Sequence, residues 1–147
     1  MCIRDRPDTS DFASPALAEA LFYEAFAQID AGLMERVWFD SEQAYCVHPG
    51  GTPLYGHRAV LESWRNMFEG AQPLVLFYKV LHRQEWGDLA IHLVEERLSS
   101  RDGSHQGLIM ASNCYVRSED GWRLFSHHGS AVSLSRKDEP ESSPRVH

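Results

Sequence analysis

The second half of the chain consists of four consecutive segments in which the apolar period is two residues. These segments span 74–84, 89–99, 105–117 and 122–132. The segments are separated by the dipeptides Gly87-Asp88, Asp102-Gly103 and Asp120-Gly121. Asp and Gly favour hairpin turns, so the pattern predicts an antiparallel meander of strands. Any fold for this chain must cover one face of that sheet.

The first half has helical periodicity instead. Ser14 is a suitable N-cap and Pro15 suits the first helical position, after which apolar residues recur at helical spacing as far as Gly32. Further elements are predicted as helices at 33–39 and 57–69 and a strand at 44–48. The order α-α-β-α-β-β-β-β predicts an α+β fold with three helices packed over a curved sheet.

Composition limits the class of protein. The chain has 147 residues, 43% of them hydrophobic, which predicts one globular domain. Its 21 acidic and 14 basic residues give a net charge of −7, which argues against nucleic-acid binding. A membrane span needs about twenty apolar residues, far more than any run here contains. We therefore expect a cytoplasmic protein with no membrane or nucleic-acid partner.

The ends of the chain differ from its middle. Residues 1–13 are charged and lack periodicity, so they are predicted to form a flexible leader. Whether residues 1–6 belong to the native protein is an open question at this point. Residues 133–147 are rich in Ser, Pro, Lys and Glu, which is typical of a disordered tail. The predicted domain is therefore 14–132.

Three local motifs accompany this order of elements. They are the His48-Pro49-Gly50-Gly51 turn, Gly56 before a helix carrying Ser63-Trp64, and the ending from Gly121-Trp122-Arg123 to His127-His128-Gly129-Ser130. With them, residues 14–132 resemble the SnoaL-like branch of the nuclear transport factor two superfamily. The resemblance implies a cone-shaped, cystatin-like architecture with an apolar cavity, and a homodimer formed through the outer sheet face. Because that superfamily includes isomerases, cyclases, dehydratases and scaffolds, the fold alone does not fix function.

The resemblance to ketosteroid isomerases can be carried over at three positions. The general base of those enzymes corresponds to His48, and neutral imidazole can accept a proton. Their oxyanion-hole acid corresponds to Asn113, whose amide can donate without any pKa adjustment. Their helical Tyr corresponds to Ala25, and Tyr23 lies about 200° of helix away from that position. We therefore do not expect ketosteroid isomerase activity.

The strand registers decide which side chains face the cavity. Pairing Ser118 with Gly121 would place Asn113, Tyr115, Ser126 and His128 on one face, and we favour this option. A bulge at Gly121 would instead make Asn113 face the same way as His127. In the preceding hairpin, pairing Ser100 with Ser104 would turn Glu95 inward.

The candidate site follows from these assignments. The predicted catalytic residues are His48, Asn113 and His128, and the predicted ligand-binding residues are Tyr23, Trp38, Trp64, Glu95, Tyr115 and Ser126. Each has a competing structural interpretation, most strongly Trp38 and Trp64, which suit the core. We expect no metal and no cofactor, because neither closely spaced ligands nor a phosphate-binding glycine loop occurs.

Three functional hypotheses remain open. The first is a pocket protein that binds a small, largely apolar organic ligand. The second is an isomerase, cyclase or dehydratase that uses His48 as general base. The third is a non-catalytic dimeric interaction domain, for which a filled cavity is predicted.

Overall fold

The computed structural model describes residues 11–133, which form a six-stranded mixed sheet and three helices. The helices are α1 (Pro15–Gln28), α2 (Ala31–Val37) and α3 (His57–Phe68). The strands are β1 (Tyr45–Val47), β2 (Leu54–Tyr55), β3 (Val75–Trp86), β4 (Leu89–Ser99), β5 (Gln106–Ser118) and β6 (Gly121–Val132). The predicted α+β fold class is confirmed.

The sheet order is β2-β1-β6-β5-β4-β3. The last four strands form the predicted meander, and β1 joins it by parallel pairing with β6. The two-residue strand β2, which the sequence analysis missed, pairs with β1. No helix within 11–133 is long and apolar enough to cross a membrane.

Helix α1 begins as predicted and ends earlier than predicted. The Ser14 side chain accepts a hydrogen bond from Leu17 N at 3.1 Å, and Pro15 follows it. The helix ends at Gln28 because Ile29 adopts a left-handed conformation, with φ of 50°. Gly32 lies inside α2 instead, where Asp30 is the N-cap.

Aromatic side chains fill the space between the helices and the sheet. Trp64 of α3 lies edge-on to Phe22 and Phe26 of α1, with ring centroids 5.7 Å and 5.0 Å apart. Trp38 and Trp64 are both buried in this core, as their structural interpretation predicts. Burying such rings stabilises the fold through their large apolar area.

The β5–β6 hairpin starts in the favoured register and then changes it. Ser118 pairs with Gly121, and Tyr115 with Leu124, as predicted. One extra residue, Phe125, is then inserted in β6, so that Asn113 pairs with His127. The bulge therefore exists, but four residues after Gly121. It turns His127, and not Ser126 or His128, to the face of Asn113.

The β4–β5 hairpin has a loop one residue longer than predicted. Ser100 N donates to His105 O at 2.9 Å, leaving 101–104 as the loop. Asp102 stabilises this loop by accepting hydrogen bonds from the hydroxyls of Ser100 and Ser104 and from Ser104 N. The register moves by one position, so Glu96 and not Glu95 points inward.

Ordered packing begins before Ser14. Phe12, inside the range predicted as a flexible leader, is fully buried, and its carbonyl accepts a hydrogen bond from Trp122 N at 2.8 Å. The Arg123 guanidinium lies 3.6 Å from the centroid of its ring. The leader prediction is therefore wrong at Phe12. The rest of the predicted leader, 1–10, and the predicted tail from 134 onward lie outside the described residues.

Gly121 makes this docking possible. It has a φ of +105°, and a Cβ there would lie 2.6 Å from the carbonyl oxygen of Phe12. We expect Gly121→Ala to lower the free energy of unfolding by more than about 2 kcal/mol, measured by denaturant titration. Gly103→Ala is the matched control, because Gly103 also has positive φ but no atom within 4 Å of the added Cβ. An equal loss in both variants would contradict the steric explanation.

Candidate functional site

Seven polar side chains converge between α1 and the inner face of the sheet. We call them the interior cluster: Glu19, Tyr23, His92, Glu96, Asn113, Tyr115 and His127. Each is at most 2% exposed. Buried polar groups at this density need partners, and the cluster supplies most of them internally.

Periodicity and register bring the cluster together. Glu19 and Tyr23 are four residues apart on α1, so they lie on one helical face. His92, Asn113 and His127 form one row across three strands, because His92 pairs with Asn113 and Asn113 with His127. The helical pair lies above this row.

Glu19 accepts three hydrogen bonds. They come from His92 Nδ1 at 3.0 Å, Tyr115 OH at 2.9 Å and Asn113 Nδ2 at 3.3 Å. The carboxylate thus links α1 to β4 and β5. These three donors offset part of its desolvation cost.

Glu96 has a poorer set of partners. Tyr23 OH donates to its Oε2 at 2.6 Å, and no cationic side chain of 11–133 forms an ion pair with it. Burial, reinforced by the charge of Glu19, raises the pKa of Glu96 to about 7. Glu96 can therefore take up and release a proton near neutral pH.

Asn113 bridges Glu19 and Tyr23, and His127 orients it. Asn113 Nδ2 donates to Tyr23 OH at 2.9 Å as well as to Glu19, while His127 Nδ1 lies 2.6 Å from Asn113 Oδ1. Burial lowers the pKa of His127 to about 3, so its ring is neutral and Nδ1 donates to the amide oxygen. This bond keeps the amide nitrogen of Asn113 directed at Glu19 and the Tyr23 hydroxyl.

One polar atom of the cluster lacks a partner. His92 is fully buried and its Nδ1 donates to Glu19, but no group in the described part of the chain hydrogen-bonds its Nε2. In the neutral ring this nitrogen is an acceptor. An unsatisfied buried acceptor is costly, and it marks a place where a bound molecule could supply a donor.

His48, the predicted base, lies apart from these hydrogen bonds. Its Nε2 is 3.0 Å from Ser63 Oγ, whose own proton is donated to Val60 O. His48 Nε2 is therefore the donor in its bond to Ser63. Partial burial lowers the pKa of His48, and its ring lies edge-on to Trp64 at 4.9 Å.

Three other predicted site residues face away from the cluster. Ser126 pairs with Cys114 and His128 with Ser112, and these partners alternate with Asn113 along β5. The predicted placement of Ser126 and His128 beside Asn113 is wrong, because the bulge at Phe125 reverses their direction. The prediction that Glu95 faces inward is also wrong, because the β4–β5 register differs by one residue. Glu95 faces outward, where Arg97 Nε donates to it at 2.7 Å.

The remaining predicted residues divide between cluster and core. Tyr23, Asn113 and Tyr115 belong to the interior cluster, and Trp38 and Trp64 belong to the hydrophobic core. The sequence analysis missed Glu19, His92 and Glu96, and considered His127 only under the alternative register. A signal for Glu19 existed, since Glu19, Phe22, Tyr23 and Phe26 follow helical i, i+3, i+4, i+7 spacing.

A cleft opens beside the cluster. This hairpin cleft, of about 570 Å³, lies between the α3–β3 connection and the β4–β5 hairpin. Its lining includes Pro73, Leu74, Leu98 and Gly107. Leu98 follows Glu96 by two residues on β4, so both point inward, roughly 7 Å apart. Glu96 is thus the first cluster residue beyond the cleft.

The cluster is suited to proton transfer and not to metal binding. Within 11–133, no three His, Cys, Asp or Glu side chains converge as metal ligands. The cluster instead combines a carboxyl group that titrates near neutrality with hydroxyl and amide donors and a free imidazole nitrogen. Such combinations are typical of general acid–base chemistry.

Comparison with known proteins gives one family and several similar structures. A family model described as a SnoaL-like domain matches residues 17–134. A proposed calcium/calmodulin-dependent protein kinase type II association domain from Thiobacillus denitrificans is 36% identical, with a TM-score of 0.78 over 83% of this chain and 98% of that one. A proposed dehydratase of the NTF2-like family from Streptomyces avermitilis is 31% identical, with a TM-score of 0.75 over 87% and 99%.

More distant matches share less. A protein with a cystatin-like fold from Nostoc punctiforme is 16% identical, with a TM-score of 0.67 over 82% of this chain and 76% of that one, and shows the fold alone. The F-box protein SKIP8 of Arabidopsis thaliana is 24% identical over 101 residues, which are 69% of this chain. The match spans 42% of the F-box protein's length.

The neutral state of buried His127 predicts a specific acid sensitivity. Its folded pKa of about 3 lies below the unfolded value of about 6.5, so below pH 6.5 the unfolded chain gains a proton that the folded protein does not. Stability is therefore lost as the pH falls from 6.5 towards 3. Between pH 6.5 and 4, we expect the wild type to lose roughly 2 to 3 kcal/mol more than His127→Gln in denaturant titrations.

The exposed neighbour provides the control. His128→Gln should keep most of the pH dependence of the wild type, because burial is the main cause of the low pKa of His127 and the charge of the exposed His128 contributes less. Parallel pH profiles for wild type and His127→Gln would refute the assignment of a neutral, buried His127.

Proposed function

This chain belongs to the SnoaL-like domain family, and we propose that it binds a small, largely apolar organic molecule through the hairpin cleft and exchanges a proton with it at Glu96. The reaction class is that of a cofactor-free isomerase or dehydratase. In such a reaction the carboxylate removes a proton from carbon. The protonated acid then returns it to another carbon, or to a leaving hydroxyl.

The observation that carries this proposal is the burial of Glu96 without a cationic partner. A stable core alone would be served as well by an apolar residue, since removing a carboxylate from water costs several kcal/mol. Titratable groups with strongly shifted pKa values in a buried site are candidates for function. A carboxyl group with a pKa of about 7 is matched to acid–base work at neutral pH.

The neighbours of Glu96 support this role. Tyr23, whose pKa burial holds well above its usual value, stays protonated and donates to the carboxylate. The free Nε2 of His92 provides a second position for a polar group of the ligand. Access requires Leu98 or the partly exposed Tyr78 to rotate, because the cluster is closed in this conformation.

His48 remains the alternative base. Its half-buried ring is next to Trp64, but its Nε2 donates to Ser63, which leaves only Nδ1 to accept a proton. Glu96 is the better candidate because it lies two residues along β4 from Leu98, which lines the cleft. The 31% identical relative described as a proposed dehydratase is consistent with acid–base chemistry on this fold.

Replacing Glu96 tests the proposal. With a panel of small cyclic molecules in D₂O, we expect NMR shifts at the Leu98 and Gly107 amides and deuterium incorporation at carbon. In Glu96→Gln, incorporation should fall at least about 100-fold while binding persists, because the amide cannot accept the proton. Glu95→Gln, one residue away on the outer face, should behave like wild type. Unchanged incorporation in Glu96→Gln would rule out Glu96 as the base.

The outer sheet face favours a second function, self-association as a homodimer. Phe77, Trp86, Leu89, Ile91 and Leu93 are exposed there, between 38% and 67%. Trp86, Leu89, Ile91 and Leu93 are neighbours across β3 and β4, and an exposed apolar patch of this kind is typical of an interface. The 36% identical relative is described as a proposed association domain, which is consistent with this function.

Introducing a charge at this face tests the dimer. We expect Leu93→Glu to convert a dimer into a monomer in sedimentation velocity at micromolar concentration, because it would bury two like charges across a two-fold axis. Leu17→Glu is the matched control, since Leu17 is 45% exposed on α1, away from the sheet face. A monomeric wild type, or a dimer that survives Leu93→Glu, would refute this interface.

A further inference from the structure

We infer that the molecule bound at Glu96 is a small apolar amine in its protonated form, whose ammonium group lies against the Glu96 carboxylate. This inference rests on the proposed function, because it assigns a ligand class to the same site. It follows from charge, from unsatisfied hydrogen-bonding capacity and from the aromatic surroundings.

The charge inventory of the interior cluster is unbalanced. It contains two carboxylates, Glu19 and Glu96, and neither Lys nor Arg. His92 Nδ1 donates a hydrogen bond to Glu19, and the neutral ring of His127 contributes no charge. Glu96 is left with the neutral hydroxyl of Tyr23. A cation is the ligand charge that would complete this site, since a buried carboxylate is stabilised by an ion pair.

The free hydrogen-bonding positions are acceptors. The Nε2 atom of fully buried His92 has no partner, and it is an acceptor while Nδ1 donates to Glu19. The Glu96 carboxylate, when ionised, offers acceptors alone. An ammonium group carries three donors and no acceptor, so its chemistry complements the Glu96 carboxylate. His92 lies four residues away along β4, roughly 13 Å from Glu96, so its Nε2 would take a separate donor of the ligand.

Aromatic rings flank Glu96. Tyr78 is its direct cross-strand partner on β3 and stacks on Tyr23, with ring centroids 4.3 Å apart and an angle of 20° between the planes. Tyrosine faces attract cations within about 6 Å. The apolar lining of the hairpin cleft, including Leu74 and Leu98, would hold the hydrocarbon part of the ligand.

Other ligand charges fit less well. A carboxylate would be repelled by Glu19 and Glu96, and a neutral alcohol would leave Glu96 without a counter-charge. The cleft also includes Arg101 and His105, but both are exposed at the β4–β5 hairpin, where water and salt screen their charges.

Binding should be linked to pH. The titratable groups that interact with Glu96 are Glu19 and Tyr23 on α1 and Cys46 on β1, with Tyr78 beside it on β3 and His92 on its own strand. An ammonium ion favours the ionised form of Glu96 and so lowers its pKa. Amine binding near pH 7 should therefore release protons, and affinity should fall as the pH drops below 7.

Calorimetry with three probes of similar size tests the inference: cyclohexylmethylamine, cyclohexylmethanol and cyclohexanecarboxylate. We expect the amine to bind the wild type on the order of tenfold more tightly than the alcohol, and the carboxylate most weakly. Titrations at pH 7 in two buffers of different ionisation enthalpy should show proton release for the amine. Glu96→Gln should remove both the preference and the proton release, and Glu95→Gln should keep both.

A third variant separates failure of this inference from failure of the proposed function. Gly107→Leu adds a side chain to the lining of the hairpin cleft at a position where no atom lies within 4 Å of the added Cβ, and it should abolish binding of every probe. If the alcohol binds as tightly as the amine and Gly107→Leu abolishes both, the amine inference is wrong and the proposed cleft stands. If no probe binds the wild type, or Gly107→Leu leaves binding unchanged, both are overturned.

Discussion

The hydrogen bonding of two buried carboxylates governs the interior of this protein. Glu19 joins α1 to β4 and β5 through His92, Tyr115 and Asn113, so one side chain hydrogen-bonds the first helix to two strands of the sheet. Glu96 receives only the Tyr23 hydroxyl. With this single donor, burial raises the pKa of Glu96 to about 7, so that it titrates near neutrality.

Two local irregularities decide which residues enter that interior. The inserted Phe125 turns His127 inward, and the four-residue loop stabilised by Asp102 does the same for Glu96. Each displaces the register by one position, and a one-residue shift exchanges the two faces of a strand. The inner face is thereby polar and closed by aromatic rings, whereas the outer face of the same strands exposes apolar side chains such as Leu93.

The sheet therefore offers two surfaces of opposite character. The inner one holds charge that a bound molecule could balance, and the outer one holds apolar area that a second copy could cover. These roles are compatible, because contacts on the outer face leave the hairpin cleft open. The similar structures include a proposed dehydratase and a proposed association domain, so the fold by itself does not choose between these roles.

The sequence by itself determined the order of the long elements, since hydrophobic periodicity and the Ser14 cap are local signals that do not depend on tertiary contacts. It also indicated Asn113, Tyr23 and Tyr115. It could not give Glu96 or His127, because turn hydrogen bonds and a bulge fixed their strand faces only when the hairpins closed. What the tertiary structure alone decided was the pairing of side chains distant in sequence, because their burial energies exist only after the sheet and α1 have packed together.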